Sequence, residues 1–107
     1  MKSSEVLTKA LELLGPNGEL WCKSLPGVEW PVAGNCASTA CGMADTPEGY
    51  QSWKARTYLA RAIGIPALET HSQIHGWNDA PERTFPEVRA AFEKAIELAK
   101  SEESSNA

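Results

Sequence analysis

The segment from Thr84 to Lys100 constrains the fold more than any other part of the chain, because it carries a complete helix signature. Thr84 is followed three residues later by Glu87, the spacing of a capping box that satisfies the first backbone N–H groups of a helix. Apolar residues then recur at intervals of three and four, which places them on one helical face. They are Val88, Phe92, Ala95, Ile96 and Ala99. The pattern predicts an amphipathic helix that packs against a core.

A first helix is predicted near the N-terminus, from about Ser4 to Leu14. Its apolar residues repeat at helical spacing, and Ser3 or Ser4 is the expected N-cap. The pair Gly15-Pro16 should end it, since glycine accepts the backbone conformation of a helix end and proline cannot continue a helix.

Two further helices are predicted in the middle of the chain. One covers residues 36–44, with Asn35 as N-cap and a face of small residues that lets another helix come close. The other runs from about Pro47 to Ile63, and residues 65–83 are interpreted as a connection. Its expected apolar face consists of Tyr50, Trp53, Ala55, Tyr58, Leu59, Ala62 and Ile63.

These elements predict a mainly α fold. We expect a small bundle of about four helices, with an irregular or β-hairpin insertion after the first helix, where turn-forming residues are frequent. Residues 1–100 are expected to form one globular domain, and residues 101–107, which are polar and charged, a disordered tail.

Composition and charge exclude several classes of function. The net charge is −4 and the pI is near 5.1, so a basic face for general nucleic-acid binding is not expected. The apolar runs are too short to span a bilayer, and no secretory signal pattern is present, so a cytoplasmic location without membrane contact is expected. The three cysteines are then expected to be reduced thiols.

The stretch from Trp77 to Thr84 is the strongest candidate for a recognition loop. An aromatic ring, an amide, a carboxylate and a guanidinium lie close together there, as in many contacts with proteins or small ligands. Turn chemistry explains the same residues: Asn78 and Asp79 favour Asx turns, and Asp79 could pair with Arg83. The candidate binding residues are Trp21, Trp30, Trp77, Asn78, Asp79 and Arg83.

Cysteine and histidine chemistry is the alternative. The potential zinc ligands are Cys22, Cys36, Cys41, His71 and His75, but no Cys-x-x-Cys knuckle is present. A cysteine, a histidine and Asn78 could also form a thiol hydrolase site, although none of the local signatures of such enzymes occurs. Packing of the cysteines in a core is the simpler interpretation, so neither a catalytic residue nor a cofactor is assigned.

Three features together resemble a family of short proteins of unknown function from actinobacteria and their phages. They are the pair Trp21-Cys22 after a short helix, Cys36 opening a small-residue helix, and the segment Trp77-Asn78-Asp79-Ala80-Pro81 followed by Arg83-Thr84. The chain departs from that pattern at Thr39 and in the longer stretch from Lys23 to Gly34.

The resemblance implies no activity, but it implies a phage or mobile-element setting. The leading hypothesis is a non-enzymatic, phage-encoded binding protein that engages a host protein or a small nucleotide-like ligand, with a possible counter-defence role. A zinc-binding protein or a thiol hydrolase is the alternative. A homo-oligomer assembled through the small-residue face of residues 36–44 is a third hypothesis.

Overall fold

The computed structural model describes residues 2–21, 37–44, 50–65 and 70–105. Within these ranges the chain forms five α-helices: α1 (Ser3–Leu14), α2 (Ala37–Ala44), α3 (Tyr50–Ala62), α4 (Thr70–Asn78) and α5 (Phe85–Ser105). The predicted mainly helical fold is confirmed. The predicted irregular or hairpin insertion falls largely on residues 22–36, which lie outside the described residues.

Helix α1 begins and ends close to the predicted positions, but its N-cap differs. The cap is Lys2, whose backbone N–H donates to the Glu5 carboxylate at 2.9 Å, so the prediction of Ser3 or Ser4 as N-cap was wrong. Both serines lie inside the helix and are buried. At the other end the helix stops at Gly15 with φ 90°, as predicted.

The core consists of the apolar stripes of α1, α3 and α5, the small residues of α2 and Ile74 of α4. Helix α2 packs against α1, α3 and α4. Its small side chains permit this close approach because they leave little bulk between the helix backbones. The prediction of a small-residue face is confirmed by four fully buried residues, Ala37, Ala40, Cys41 and Ala44. In α5 the residues Val88, Phe92, Ala95 and Ala99 are buried as predicted.

Helix α3 corrects one prediction about the core. Ala55 and Leu59 are fully buried, but Trp53, which was assigned to the apolar face, is 64% exposed. Trp53 precedes Thr57 by one turn and Arg61 by two, so these three residues follow the outer side of the helix. The prediction was wrong because Trp53 lies two residues, or about 200° around the helix, from Ala55 and therefore cannot share the buried face of Ala55 and Leu59.

Helix α4 is absent from the sequence-based prediction, which treated residues 65–83 as a connection. Its sequence has no long apolar stripe and contains Gly76, a poor helix former. The helix buries only Ile74 and Asn78 among its described side chains, one turn apart, and packs against α2 and α3. Tertiary packing therefore stabilises a segment whose own helix propensity is low.

The C-terminal helix extends farther than predicted. Residues 101–105 are helical, so the predicted disordered tail is wrong for these five positions. The Glu103 carboxylate accepts hydrogen bonds from the backbone N–H of Ser4 at 3.1 Å and from its hydroxyl at 2.8 Å. Glu102 pairs with Arg61 of α3. These contacts with α1 and α3 hold the last turns of α5.

No helix in the described ranges is both long enough and apolar enough to cross a membrane.

Two glycines provide a matched test of packing between the α1 end and α5. Gly18 (φ 76°) and Gly64 (φ 78°) have similar backbone conformations, but a Cβ atom on Gly18 would lie 2.4 Å from the Phe85 ring, whereas Gly64 has open space. We expect Gly64→Ala to lower the free energy of unfolding by about 1 kcal/mol through backbone strain. Gly18→Ala should lower it by about 2–4 kcal/mol, because overpacking adds to the strain. Urea unfolding measures both, and equal losses would contradict the Phe85 contact.

Candidate functional site

The structure brings together five of the six predicted binding residues at the end of α4 and the turn before α5. Trp77 and Asn78 end the helix, Asp79 and Arg83 lie in the turn, and Trp21 reaches the same place from the segment after α1. The sixth predicted residue, Trp30, lies outside the described residues.

Asn78 is the buried centre of this region. Its side chain is 0% exposed, and its Oδ1 atom accepts hydrogen bonds from the Trp21 indole N–H at 2.6 Å and from the Ala37 backbone N–H at 3.0 Å. The second bond satisfies one of the first N–H groups of α2, a role that an N-cap residue usually fills from within the same helix. Asn78 therefore links three parts of the chain that are far apart in sequence.

Trp77 and Arg83 form a stacked pair, which we call the Trp77–Arg83 stack. The guanidinium carbon of Arg83 lies 4.2 Å from the centroid of the Trp77 ring, in cation–π geometry. The Nε atom of Arg83 donates to the Trp77 carbonyl oxygen at 2.9 Å, and its Nη1 atom donates to the Glu87 carboxylate at 2.8 Å. Three contacts thus fix one arginine side chain, and both members of the stack remain partly exposed.

Asp79 pairs with a histidine instead of with Arg83. Asp79 Oδ2 lies 3.1 Å from His75 Nε2, and Asp79 Oδ1 accepts a hydrogen bond from the Asn78 amide at 3.1 Å. The predicted ion pair between Asp79 and Arg83 was wrong, because Arg83 is directed towards Glu87 and the Trp77 ring. The His75 pair was missed because the i,i+4 spacing is informative only once α4 is known to be a helix.

One of the two bonds of the predicted capping box is present at the start of α5, the bond from the Thr84 backbone N–H to the Glu87 side chain. Glu87 Oε1 accepts hydrogen bonds from the backbone N–H of Thr84 and from its hydroxyl, each at 3.1 Å. These two bonds lower the pKa of the Glu87 carboxyl below its usual value; partial desolvation opposes them, and the bond to Arg83 and its charge add to the lowering. Glu87 therefore joins the capped helix start to the Trp77–Arg83 stack.

Trp21 and Phe85 make a tilted contact between their aromatic rings in this region. The ring centroids of Trp21 and Phe85 lie 6.0 Å apart with an interplanar angle of 49°. Phe85 was not among the predicted site residues, although it directly follows Thr84, the predicted N-cap of the last helix. Beside Phe85, a shallow groove of about 340 Å³ runs between α1 and α5, with Leu11 as a further apolar lining residue and Glu12 and Arg89 as its charged ones.

The predicted metal ligands are only partly described. Cys41 is fully buried in the core, which agrees with the packing interpretation. His71 and His75 both lie on α4, four residues apart, whereas Cys22 and Cys36 lie outside the described residues. Among the residues that the structure describes, no three histidine, cysteine or acidic side chains form a group that could hold a metal ion.

The fold and this geometry define a small, mainly helical protein. Its turn before α5 carries an aromatic ring and is held by hydrogen bonds from its own polar side chains. The chain belongs to a family of unknown function, DUF6197, whose family model matches residues 1–98. No curated protein and no solved structure matches it. The predicted membership of a family of unknown function is confirmed over nearly the whole chain.

The shared acceptor at Asn78 gives a stability prediction. Asn78→Ala removes the acceptor of two N–H groups, so we expect the free energy of unfolding to fall by about 2–4 kcal/mol. Asn17→Ala, at an exposed asparagine, is the control and should change it by less than about 0.5 kcal/mol. Chemical denaturation compares the two variants. Similar small losses for both would mean that Asn78 does not link α2 and α4 energetically.

The lowered pKa of Glu87 gives a prediction about pH. A carboxyl with a lowered folded-state pKa stabilises the fold fully above its ordinary pKa, and this stabilisation is lost as pH falls through the folded value. We therefore expect Glu87→Gln to lower the melting temperature at pH 7 but to change it little near pH 3. Glu93→Gln, at a neighbouring exposed carboxylate, is the control and should show a smaller pH-dependent difference. The same pH dependence of the melting temperature in Glu87→Gln and in the wild type would contradict this assignment.

Proposed function

We propose that this protein is a non-enzymatic binding protein that contacts a partner protein through the Trp77–Arg83 stack. The observation that carries the proposal is the fixed position of the Arg83 guanidinium, 4.2 Å from the Trp77 ring and bonded to both the Trp77 carbonyl and Glu87. Tryptophan and arginine are the residues most often found as energetic centres of protein interfaces.

Preorganisation is the physical reason that this stack suits binding. A long arginine side chain normally loses rotamer freedom when it meets a partner, and that loss weakens association. Here Arg83 is held by its own chain before any contact is made. Glu87 is bonded to Arg83, and the paired side chains of His75 and Asp79 flank Trp77 in the sequence, so further polar groups lie close to the stack along the chain.

The rest of the cluster favours a supporting role over a catalytic one. Asn78 is fully buried and bonded to Trp21 and Ala37, so its amide acts within the fold. The thiol of Cys41 is likewise enclosed in the core. A nucleophilic cysteine needs access to its substrate and a neighbouring base, and Cys41 lacks that access.

The proposed partner is a protein of the bacterial cytoplasm. This part of the proposal rests on the resemblance to proteins of actinobacteria and their phages, where a small non-enzymatic protein would act by binding a host component, including a component of host defence. A small nucleotide-like ligand is the rival cargo. Native mass spectrometry of untagged protein separates the possibilities, because a bound nucleotide or zinc ion adds a defined mass.

Substitution of Arg83 tests the contact surface. We expect Arg83→Ala to reduce retention of partner proteins from an actinobacterial lysate at least tenfold, because both the charge and the stacked surface are lost. Arg89→Ala is the matched control, since Arg89 is an exposed arginine on α5 outside the stack. Retention is quantified by mass spectrometry on immobilised protein.

Two results would contradict the proposed surface. Equal retention by Arg83→Ala and the wild type would remove the stack from the interface. Selective loss with Arg89→Ala would place binding in the groove between α1 and α5 instead, which Arg89 lines. Circular dichroism of each variant confirms that the helices remain folded.

A further inference from the structure

We propose a second interaction surface on the outer side of α3, formed by Trp53, Lys54 and Thr57, which binds an acidic protein segment that also carries an apolar residue. This surface belongs to a different helix from the Trp77–Arg83 stack, and the argument for it is independent of the proposed function. Two observations carry it: the exposed indole of Trp53 and the presence of basic but no acidic residues on α3.

Among the three tryptophans that the structure describes, Trp53 alone is mostly exposed. Trp21 and Trp77 are both partly buried, and each packs against the core, whereas Trp53 is 64% exposed. Tryptophan is only a moderate helix former, so helix propensity does not account for its position on the outer side of α3. A tryptophan ring offers a large apolar surface to a partner with little loss of side-chain freedom.

The charge of α3 is opposite to that of the whole chain. Helix α3 contains Lys54, Arg56 and Arg61 and no acidic residue, although the protein carries a net charge of −4. On α1 and α5, by contrast, acidic residues outnumber basic ones. An acidic segment would therefore meet its complementary charge on this helix, and charge complementarity selects partners and speeds their association.

Lys54 directly follows Trp53 and forms no ion pair with the part of the chain that the structure describes. Arg61 already pairs with Glu102, and its guanidinium lies 5.5 Å from the centroid of the Tyr58 ring. Among the described residues, no carboxylate lies within ion-pair distance of the exposed Lys54. An apolar side chain of the partner would cover the indole, and an adjacent carboxylate would pair with the Lys54 ammonium.

The same features favour a protein segment over nucleic acid. Binding to a phosphate backbone depends on several cations that release counterions together, and the overall negative charge of this chain opposes that. One aromatic ring with one available ammonium group matches an acidic peptide with a single apolar anchor.

A peptide titration tests this surface. The probe is a fluorescein-labelled synthetic peptide of glutamate and leucine residues, and the matched control peptide replaces each glutamate with lysine. We expect the full chain to bind the acidic peptide, to bind the lysine peptide at least tenfold more weakly, and to lose affinity as salt is raised. Fluorescence anisotropy measures the affinities.

Variants of α3 connect that affinity to the proposed residues. Trp53→Ala and Lys54→Glu should each weaken binding of the acidic peptide at least tenfold. Lys94→Glu, the same charge reversal at an exposed lysine of α5, should leave it within twofold. Because Trp53 and Lys54 are exposed, both variants should keep the wild-type melting temperature to within about 2 °C.

Four results would overturn the proposal. They are no binding of the acidic peptide, equal binding of both peptides, an equal loss with Lys94→Glu, and tighter binding of a single-stranded oligothymidine than of the acidic peptide. The last result would assign the surface to nucleic acid. Arg83→Ala should leave the peptide affinity unchanged, which separates this surface from the Trp77–Arg83 stack.

Discussion

The arrangement of the helices depends on one buried amide. Asn78 Oδ1 accepts from the Trp21 indole and from the first backbone N–H of α2, while the Asn78 amide nitrogen donates to Asp79. A buried polar group is costly unless it is paired, so an asparagine at this position is stable only when all of these partners are in place. The same residue therefore fixes the start of α2, the end of α4 and the turn that carries the Trp77–Arg83 stack.

Local signals in the sequence were sufficient for some helices and insufficient for others. The bond from the Thr84 backbone N–H to the Glu87 side chain and the stop at Gly15 involve residues close together in the chain, so local signals predicted both. Helix α4 and the last turns of α5 are stabilised by contacts with distant segments, as the bonds between Glu103 and Ser4 illustrate. Propensity and periodicity contain no information about such contacts, and these two elements were missed.

The candidate site shows the same division between near and distant partners. Sequence proximity correctly grouped Trp77, Asn78, Asp79 and Arg83, because a turn brings neighbouring residues together. It did not determine which charged groups pair, since that depends on the direction of each side chain from its own element. The contact between Trp21 and Asn78 spans 57 positions and required the folded structure. Trp53 was assigned to the core by its chemistry, yet its position on α3 leaves it exposed.

The two donors that share Asn78 Oδ1 also mark the limits of one stretch of sequence. Trp21 lies just before residues 22–36 and Ala37 lies just after them, so the chain leaves and re-enters the described helices beside a single oxygen atom. The entropic cost of closing a chain segment rises only slowly with its length, by roughly 0.6 kcal/mol for each doubling. Insertions and deletions between Trp21 and Ala37 are therefore expected to change the free energy of unfolding of the helical core only slightly.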